Sequence, residues 1–163
     1  MKTLLLLRHA KSSWEDADLK DFDRPLNERG LKTAPLIGRE LKRRKLQPEL
    51  ILSSPAKRAR QTTELVIQAA KLKAKVQFDE RIYEASARRL FEIVAAIKPS
   101  VNLALLVGHN PGFEELTKVL TSQNTRLRTA SLVCIELNLE KWGSVRPGVG
   151  ELKWIVDPKS VSE

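Results

Sequence analysis

The feature that most constrains this chain is a set of short apolar runs that do not alternate. Residues 3–7 read Thr-Leu-Leu-Leu-Leu and residues 103–107 read Leu-Ala-Leu-Leu-Val, with a shorter run at 50–52 and a short β-like segment at 76–78. A strand with one face in water alternates apolar and polar residues, whereas an unbroken run needs cover on both faces. Between these runs, residues 31–41, 55–72, 87–97 and 111–120 place apolar side chains at helical spacing. Pro55 is expected in the first turn of its helix, where a missing N–H costs nothing. Strands and helices taking turns argue for a parallel sheet with helices on both sides. Residues 131–137 and 152–156 are strand candidates near the end of the chain, and the alternating segments there are expected to add antiparallel strands. The expected architecture is α/β: a three-layer α/β/α sandwich with a mostly parallel central sheet. At 163 residues, one domain spanning 1–163 is expected.

Several function classes are disfavoured at once. The leucine run 4–7 is stopped by Arg8 and is too short for a signal peptide, and no stretch is long enough to cross a bilayer. No membrane association and a cytoplasmic location are therefore expected. A single cysteine, Cys134, rules out an internal disulfide and a cysteine-based zinc site. It lies in an apolar alternation and is read as a core residue. The net charge of +9 speaks of partners: an anionic substrate, an acidic protein or nucleic acid. Aromatic residues make up only 5% and are not interleaved with the basic run 39–45, so nucleic acid is the least favoured of these.

In parallel α/β sheets ligands bind beyond the carboxyl ends of the strands. Three strand ends carry polar signals: Arg8-His9-Ala10-Lys11-Ser12-Ser13, Ser53-Ser54-Pro55-Ala56-Lys57-Arg58, and Gly108-His109-Asn110-Pro111-Gly112. The chain has two histidines, and each follows a buried strand within two residues. One such histidine would be unremarkable; two at equivalent positions, with Arg8 and Arg58 at hand, indicate a site. Guanidinium groups and a helix N-terminus suit phosphate oxygens. A neutral imidazole can attack phosphorus, and neighbouring cations keep it unprotonated. Such chemistry requires neither metal nor cofactor, and none is expected.

Arg8-His9-Ala10 resembles the Arg-His-Gly signature of the histidine phosphatase superfamily, which includes cofactor-dependent phosphoglycerate mutase. Residues 53–62 resemble its second arginine motif, and Gly108-His109-Asn110 its second histidine motif. Together with residues 7–14, 23–30 and 107–112, these pieces are most similar to the small SixA-type phosphohistidine phosphatases. The resemblance implies a phosphoglycerate mutase-like fold, His9 as nucleophile, and Arg8, Arg58 and His109 around the phosphate. Glu80 matches the acidic residue of larger members, with Glu84 as the alternative.

Two positions depart from the pattern. Ala10 replaces a glycine. Glu15 stands where larger members have a phosphate-contacting asparagine, so it is expected to point elsewhere, with Ser12 or Ser13 supplying the donor. Arg24 is expected to reach the phosphate or a phosphoprotein partner, in preference to Arg29. The implied activity is that of a metal-independent phosphatase, monomeric, acting on a phosphorylated substrate such as a phosphohistidine-containing protein. A small-molecule phosphatase and a catalytically silent basic binding module are the alternatives.

Overall fold

The computed structural model describes residues 1–161. Strands β1 (Lys2–Arg8), β2 (Leu50–Ser53), β3 (Val76–Phe78), β4 (Leu103–Gly108), β5 (Leu132–Leu137) and β6 (Gly150–Val156) form one six-stranded sheet. Its order is β3-β2-β4-β1-β5-β6. The first four strands run parallel, while β5 and β6 pair antiparallel at one side. Helices α1 (Glu28–Arg43) and α2 (Lys57–Ala70) cover one face, and α3 (Ala87–Ala95) and α4 (Gly112–Thr121) the other. A short α5 (Pro158–Val161) follows β6.

The unbroken leucine run of β1 is explained by these two layers. Leu4 and Leu6 pack with Leu90, Ile93, Phe113 and Leu116 of α3 and α4. Leu5 and Leu7 pack with Ile37 and Leu41 of α1 and Val66 of α2. All four leucines are fully buried, each contributing about 2 kcal/mol by removal from water. Cys134 lies in the second of these clusters, and burial pushes its thiol up to about 11.

The helix ends differ from the sequence expectation for local reasons. Helix α1 begins at Glu28 because Asn27 caps it, its Oδ1 accepting the Gly30 N–H at 2.9 Å. It runs through Pro35, which forfeits one backbone hydrogen bond, to a basic end. There Arg43 and Arg44 both donate to Glu40, at 2.5 and 2.6 Å, and Arg44 also stacks on Trp154. Two of the five cations in the run 39–45 are thus held in structural contacts. Helix α2 starts at Lys57, with Ala56 as its cap residue, so Pro55 precedes the helix instead of opening it.

The chain leaves β1 for β2 two places away, returns to β4 between them, then crosses to β5 on the far side of β1. The carboxyl ends of β1, β4 and β2 are tied side by side. The His9 N–H donates to the Gly108 carbonyl at 2.9 Å, and the Ser54 N–H to the Val107 carbonyl at 2.9 Å.

The start of α1 is pressed against the loop that follows β1. The Asn27 N–H donates to the Lys11 carbonyl at 3.0 Å, and a Cβ on Gly30 would stand 2.2 Å from that same oxygen. Gly30→Ala should therefore destabilise the fold by about 2–3 kcal/mol through overpacking, read as a lowered midpoint in thermal unfolding. Because the displaced atom lies two residues from His9, activity should fall as well.

Candidate active site

His9 and His109 face each other, with ring centroids 5.2 Å apart. Both are buried, at 7% and 9% exposure. His9 Nδ1 lies 2.7 Å from the Ala10 carbonyl oxygen, which can only accept, so Nδ1 carries the proton. Nε2 is left with its lone pair, towards which Arg58 Nε points at 3.4 Å. Burial, followed by His109, Arg58 and Arg8, holds the His9 imidazolium down at about 3, although the Ala10 carbonyl opposes this. Burial and then Arg58 hold His109 down at about 4. Both rings are neutral at neutral pH.

Ser54 sets the other histidine. Its Oγ accepts the Ala56 N–H at 3.2 Å and lies 2.8 Å from His109 Nε2. With the hydroxyl donating to Nε2, the His109 proton sits on Nδ1. That nitrogen is buried without a hydrogen-bond partner among the described residues, as is Arg8 Nε. Buried orphan donors are rare, and two of them here point to an anionic ligand.

Arg58 is the second residue of α2, and the rest of its motif explains how it is aimed. Gln61 and Thr62 lie three and four residues on, on the same face of the helix. Thr62 Oγ1 donates to the Arg58 carbonyl at 2.7 Å and accepts the Ala10 N–H at 2.9 Å. Gln61 Oε1 accepts the Leu26 N–H at 2.8 Å. The motif thus clamps the first turn of α2 to the loop carrying His9. Arg8, at the end of β1, is fixed by a 3.0 Å bond from Nη1 to the Leu127 carbonyl.

Two residues that the sequence did not single out sit at the centre of the remaining contacts. Asp21, in the 3-10 turn Asp21–Asp23, receives Arg58 twice: Nη1 at its carbonyl (2.7 Å) and Nη2 at its carboxylate (3.0 Å). The same carboxylate accepts Arg24 Nη1 at 2.8 Å and the Tyr83 hydroxyl at 2.7 Å. Burial pushes the Asp21 carboxyl up, but bonds from Tyr83, Arg24 and Arg58 outweigh it and hold it down at about 2. Burial and Asp21 together push the Tyr83 phenol up to about 12. The Tyr83 ring meets His109 edge-on at 5.6 Å and Phe22 at 5.1 Å.

The structure brings most of the expected residues together. A pocket of about 280 Å³ is lined by Arg8, His9, Ser12, Arg24, Arg58 and His109, with Lys11, Trp14, Asn110 and Thr129 at its edges. Ser12 Oγ accepts from Arg24 Nη2, and Arg24 Nε donates to the Ser13 carbonyl at 3.0 Å. The exposed Trp14 ring stacks on the Arg24 guanidinium, its centroid 3.2 Å from Cζ. Ala10 is fully buried among α1 and α2 side chains, which is where its Cβ finds room. Glu15 is exposed and outside the pocket lining, as expected. Glu80 is not brought in: it is exposed at the start of the 3-10 turn Glu80–Ile82, outside the lining. The part of that segment which reaches the site is Tyr83. Glu84 is exposed too, with a left-handed φ of 55°.

A larger depression of about 730 Å³ between α1 and β6 holds neither histidine, and its carboxylate Glu40 is already paired with Arg43 and Arg44. Among the described residues, no group of three or more His, Cys, Asp or Glu is placed to hold a metal. No helix among them is long and apolar enough to cross a membrane.

The buried histidines make stability depend on pH in a fixed direction. Between pH 6.5 and about 3–4 the unfolded chain protonates imidazoles that the folded chain keeps neutral. The unfolded state then binds more protons, so stability is full above pH 6.5 and is lost as pH falls. Asp21 acts in the same sense, but only below its ordinary carboxyl value. Urea unfolding at pH 4.5 should show a loss of roughly 3–5 kcal/mol relative to pH 7. A His9→Gln/His109→Gln variant should lose most of that dependence.

Comparison with known proteins places this geometry in a family. The model of the histidine phosphatase superfamily (branch 1) matches residues 4–100. An uncharacterized chloroplastic protein of Arabidopsis thaliana is 31% identical over 98% of this chain and 79% of its own. An uncharacterized protein of Mycobacterium tuberculosis is 35% identical over 71% of this chain and 70% of its own. A candidate phosphohistidine phosphatase SixA from Agrobacterium tumefaciens superposes with a TM-score of 0.84 at 29% identity, covering 96% of this chain and 98% of its own. A protein histidine phosphatase SixA complexed with tungstate shares the fold at the same TM-score and 23% identity, over 96% of this chain and 97% of its own. With over half of the chain matched by the family model and nearly all of it by a relative above 30% identity, this protein belongs to the histidine phosphatase superfamily, branch 1.

Proposed function

We propose that this protein is a single-domain phosphatase working through a covalent phosphohistidine on His9, and that its substrate is a phosphohistidine-bearing protein. The observation that carries the first part is the tautomer lock. The Ala10 carbonyl holds the proton on Nδ1 and leaves Nε2 as the nucleophile beside Arg58. In the first step Nε2 bonds to phosphorus as the bond from phosphorus to the leaving group breaks. In the second, water attacks phosphorus, inorganic phosphate departs and His9 is restored. Arg58, Arg8, Arg24 and the Nδ1 proton of His109 stabilise the charge that spreads over the phosphoryl oxygens. Ser12 acts by holding Arg24.

The second part of the proposal is supported by the composition of the pocket wall. It contains no carboxylic acid. An ester oxygen leaves poorly without a proton donor, whereas the imidazole of a phosphohistidine leaves readily. Exposed Trp14, Leu19 and Phe22 on the loop after β1 offer apolar surface to a protein substrate. The SixA names of the superposed structures point the same way.

The test is phosphate release from a phosphohistidine protein and from a phosphoserine protein, an alkyl ester whose leaving oxygen needs a proton, measured side by side. The phosphohistidine protein should have the larger kcat/KM by about 100-fold or more, since leaving-group protonation is worth that much. A preference for the ester would overturn the substrate assignment. A labelled phospho-donor should leave an acid-labile, base-stable adduct on His9; an acid-stable adduct would overturn the mechanism.

A further inference from the structure

Beside the His9 pocket lies a second depression of about 180 Å³, and Lys11 and Thr129 line both. Three parts of the fold build it. Arg29 and Thr33 sit four residues apart on α1, so they share one face. Arg128 and Thr129 come from the segment before β5, and Asp157 from the turn after β6.

What sets three cations here apart is that they gather, unpaired among the described residues, around one concavity beside the His9 pocket, whereas several other cations are held by carboxylates. Arg24 and Arg58 are held by Asp21, Arg43 and Arg44 by Glu40, Arg81 by Asp79, and Lys153 by Glu136 and Glu151. Lys11, Arg29 and Arg128 have no carboxylate partner among the described residues. Thr33 is buried, yet its hydroxyl has no hydrogen-bond partner among them either. The carboxylate in the wall, Asp157, is turned into the cap of α5: its Oδ1 accepts the Ser160 N–H at 2.9 Å. Three cations without a carboxylate partner and the Thr33 hydroxyl around one concavity are the donors that an anion requires.

We propose that this depression is a second anion subsite, taking a carboxylate or phosphate group of the same substrate whose phosphoryl group lies against His9. The two depressions meet at Lys11 and Thr129, so a substrate reaching over these two residues would enter both. The inference rests on the His9 pocket being a phosphate site. It adds that the preferred substrate carries a second negative group beside the phosphoryl group.

Calorimetric titration with orthophosphate and tripolyphosphate tests this without any turnover. Wild-type protein should bind tripolyphosphate about tenfold more tightly than orthophosphate, the scale of two partly exposed ion pairs. Arg29→Gln/Arg128→Gln should abolish that preference and leave orthophosphate affinity within about twofold. A control pair outside the depression, Arg39→Gln/Lys42→Gln, removes the same charge and should retain the preference. No preference in the wild type, or equal loss in the control, overturns the subsite. Competing phosphopeptides then identify the group: a gain from a flanking aspartate marks a carboxylate, a gain from a flanking phosphoserine marks a phosphate, and no gain from either overturns it. Preference without any phosphatase activity would leave the subsite standing and sink the catalytic reading; activity without preference would do the reverse.

Discussion

His9→Ala should lower kcat by about 10⁵-fold, because it removes the atom to which the phosphoryl group transfers. The size of the loss separates two roles. A histidine that only contacted phosphate through a hydrogen bond would cost about 10²–10³. Removing the nucleophile leaves only binding and charge stabilisation, and no intermediate can form. The labelled adduct should vanish together with turnover. Orthophosphate should still bind, since Arg8, Arg24, Arg58 and His109 remain. Single-turnover kinetics on the purified variant, with circular dichroism to confirm folding, would check both. Retention of wild-type turnover would end the nucleophile assignment.

Arg58→Ala should cost about 10³-fold in kcat/KM. This guanidinium has three duties that alanine cannot share. It donates towards His9 Nε2, it is second among the influences that keep His109 unprotonated, and it binds the turn carrying Asp21. Arg58→Lys should recover little, because an ammonium has no planar fork to span two oxygens. The acid side of the kcat/KM profile should shift to higher pH in both variants. With the cation removed or misplaced, the histidines protonate more easily. A profile shifted to lower pH would contradict the electrostatic role.

The strand ends were legible because they rest on short-range rules. Unbroken apolar runs mean strands covered on both faces, and such strands end at a binding crevice. His9, His109, Arg8 and Arg58 could therefore be placed from position alone, although the covalent role of His9 came from family resemblance. Gln61 and Thr62 were visible as part of a motif, but their role as a clamp was not. It depends on Ala10 and Leu26 arriving from other parts of the chain. Asp21 and Tyr83 left no trace: they are 62 residues apart and meet only when the loop after β1 folds over the sheet. Glu80 was misplaced for a related reason. Matching by position finds the right segment, but the turn there exposes Glu80 and sends Tyr83 inward.

The Asp21 carboxylate has a consequence for how affinity at this site should be understood. It already neutralises the guanidinium forks of Arg58 and Arg24. An arriving phosphate therefore meets two guanidinium groups that are already partly neutralised, and gains less from each than from bare positive charge. Its net affinity stays below what a count of the surrounding arginines would suggest. Inorganic phosphate, with nothing but its charge to offer, is released more easily than an unpaired cluster of arginines would allow.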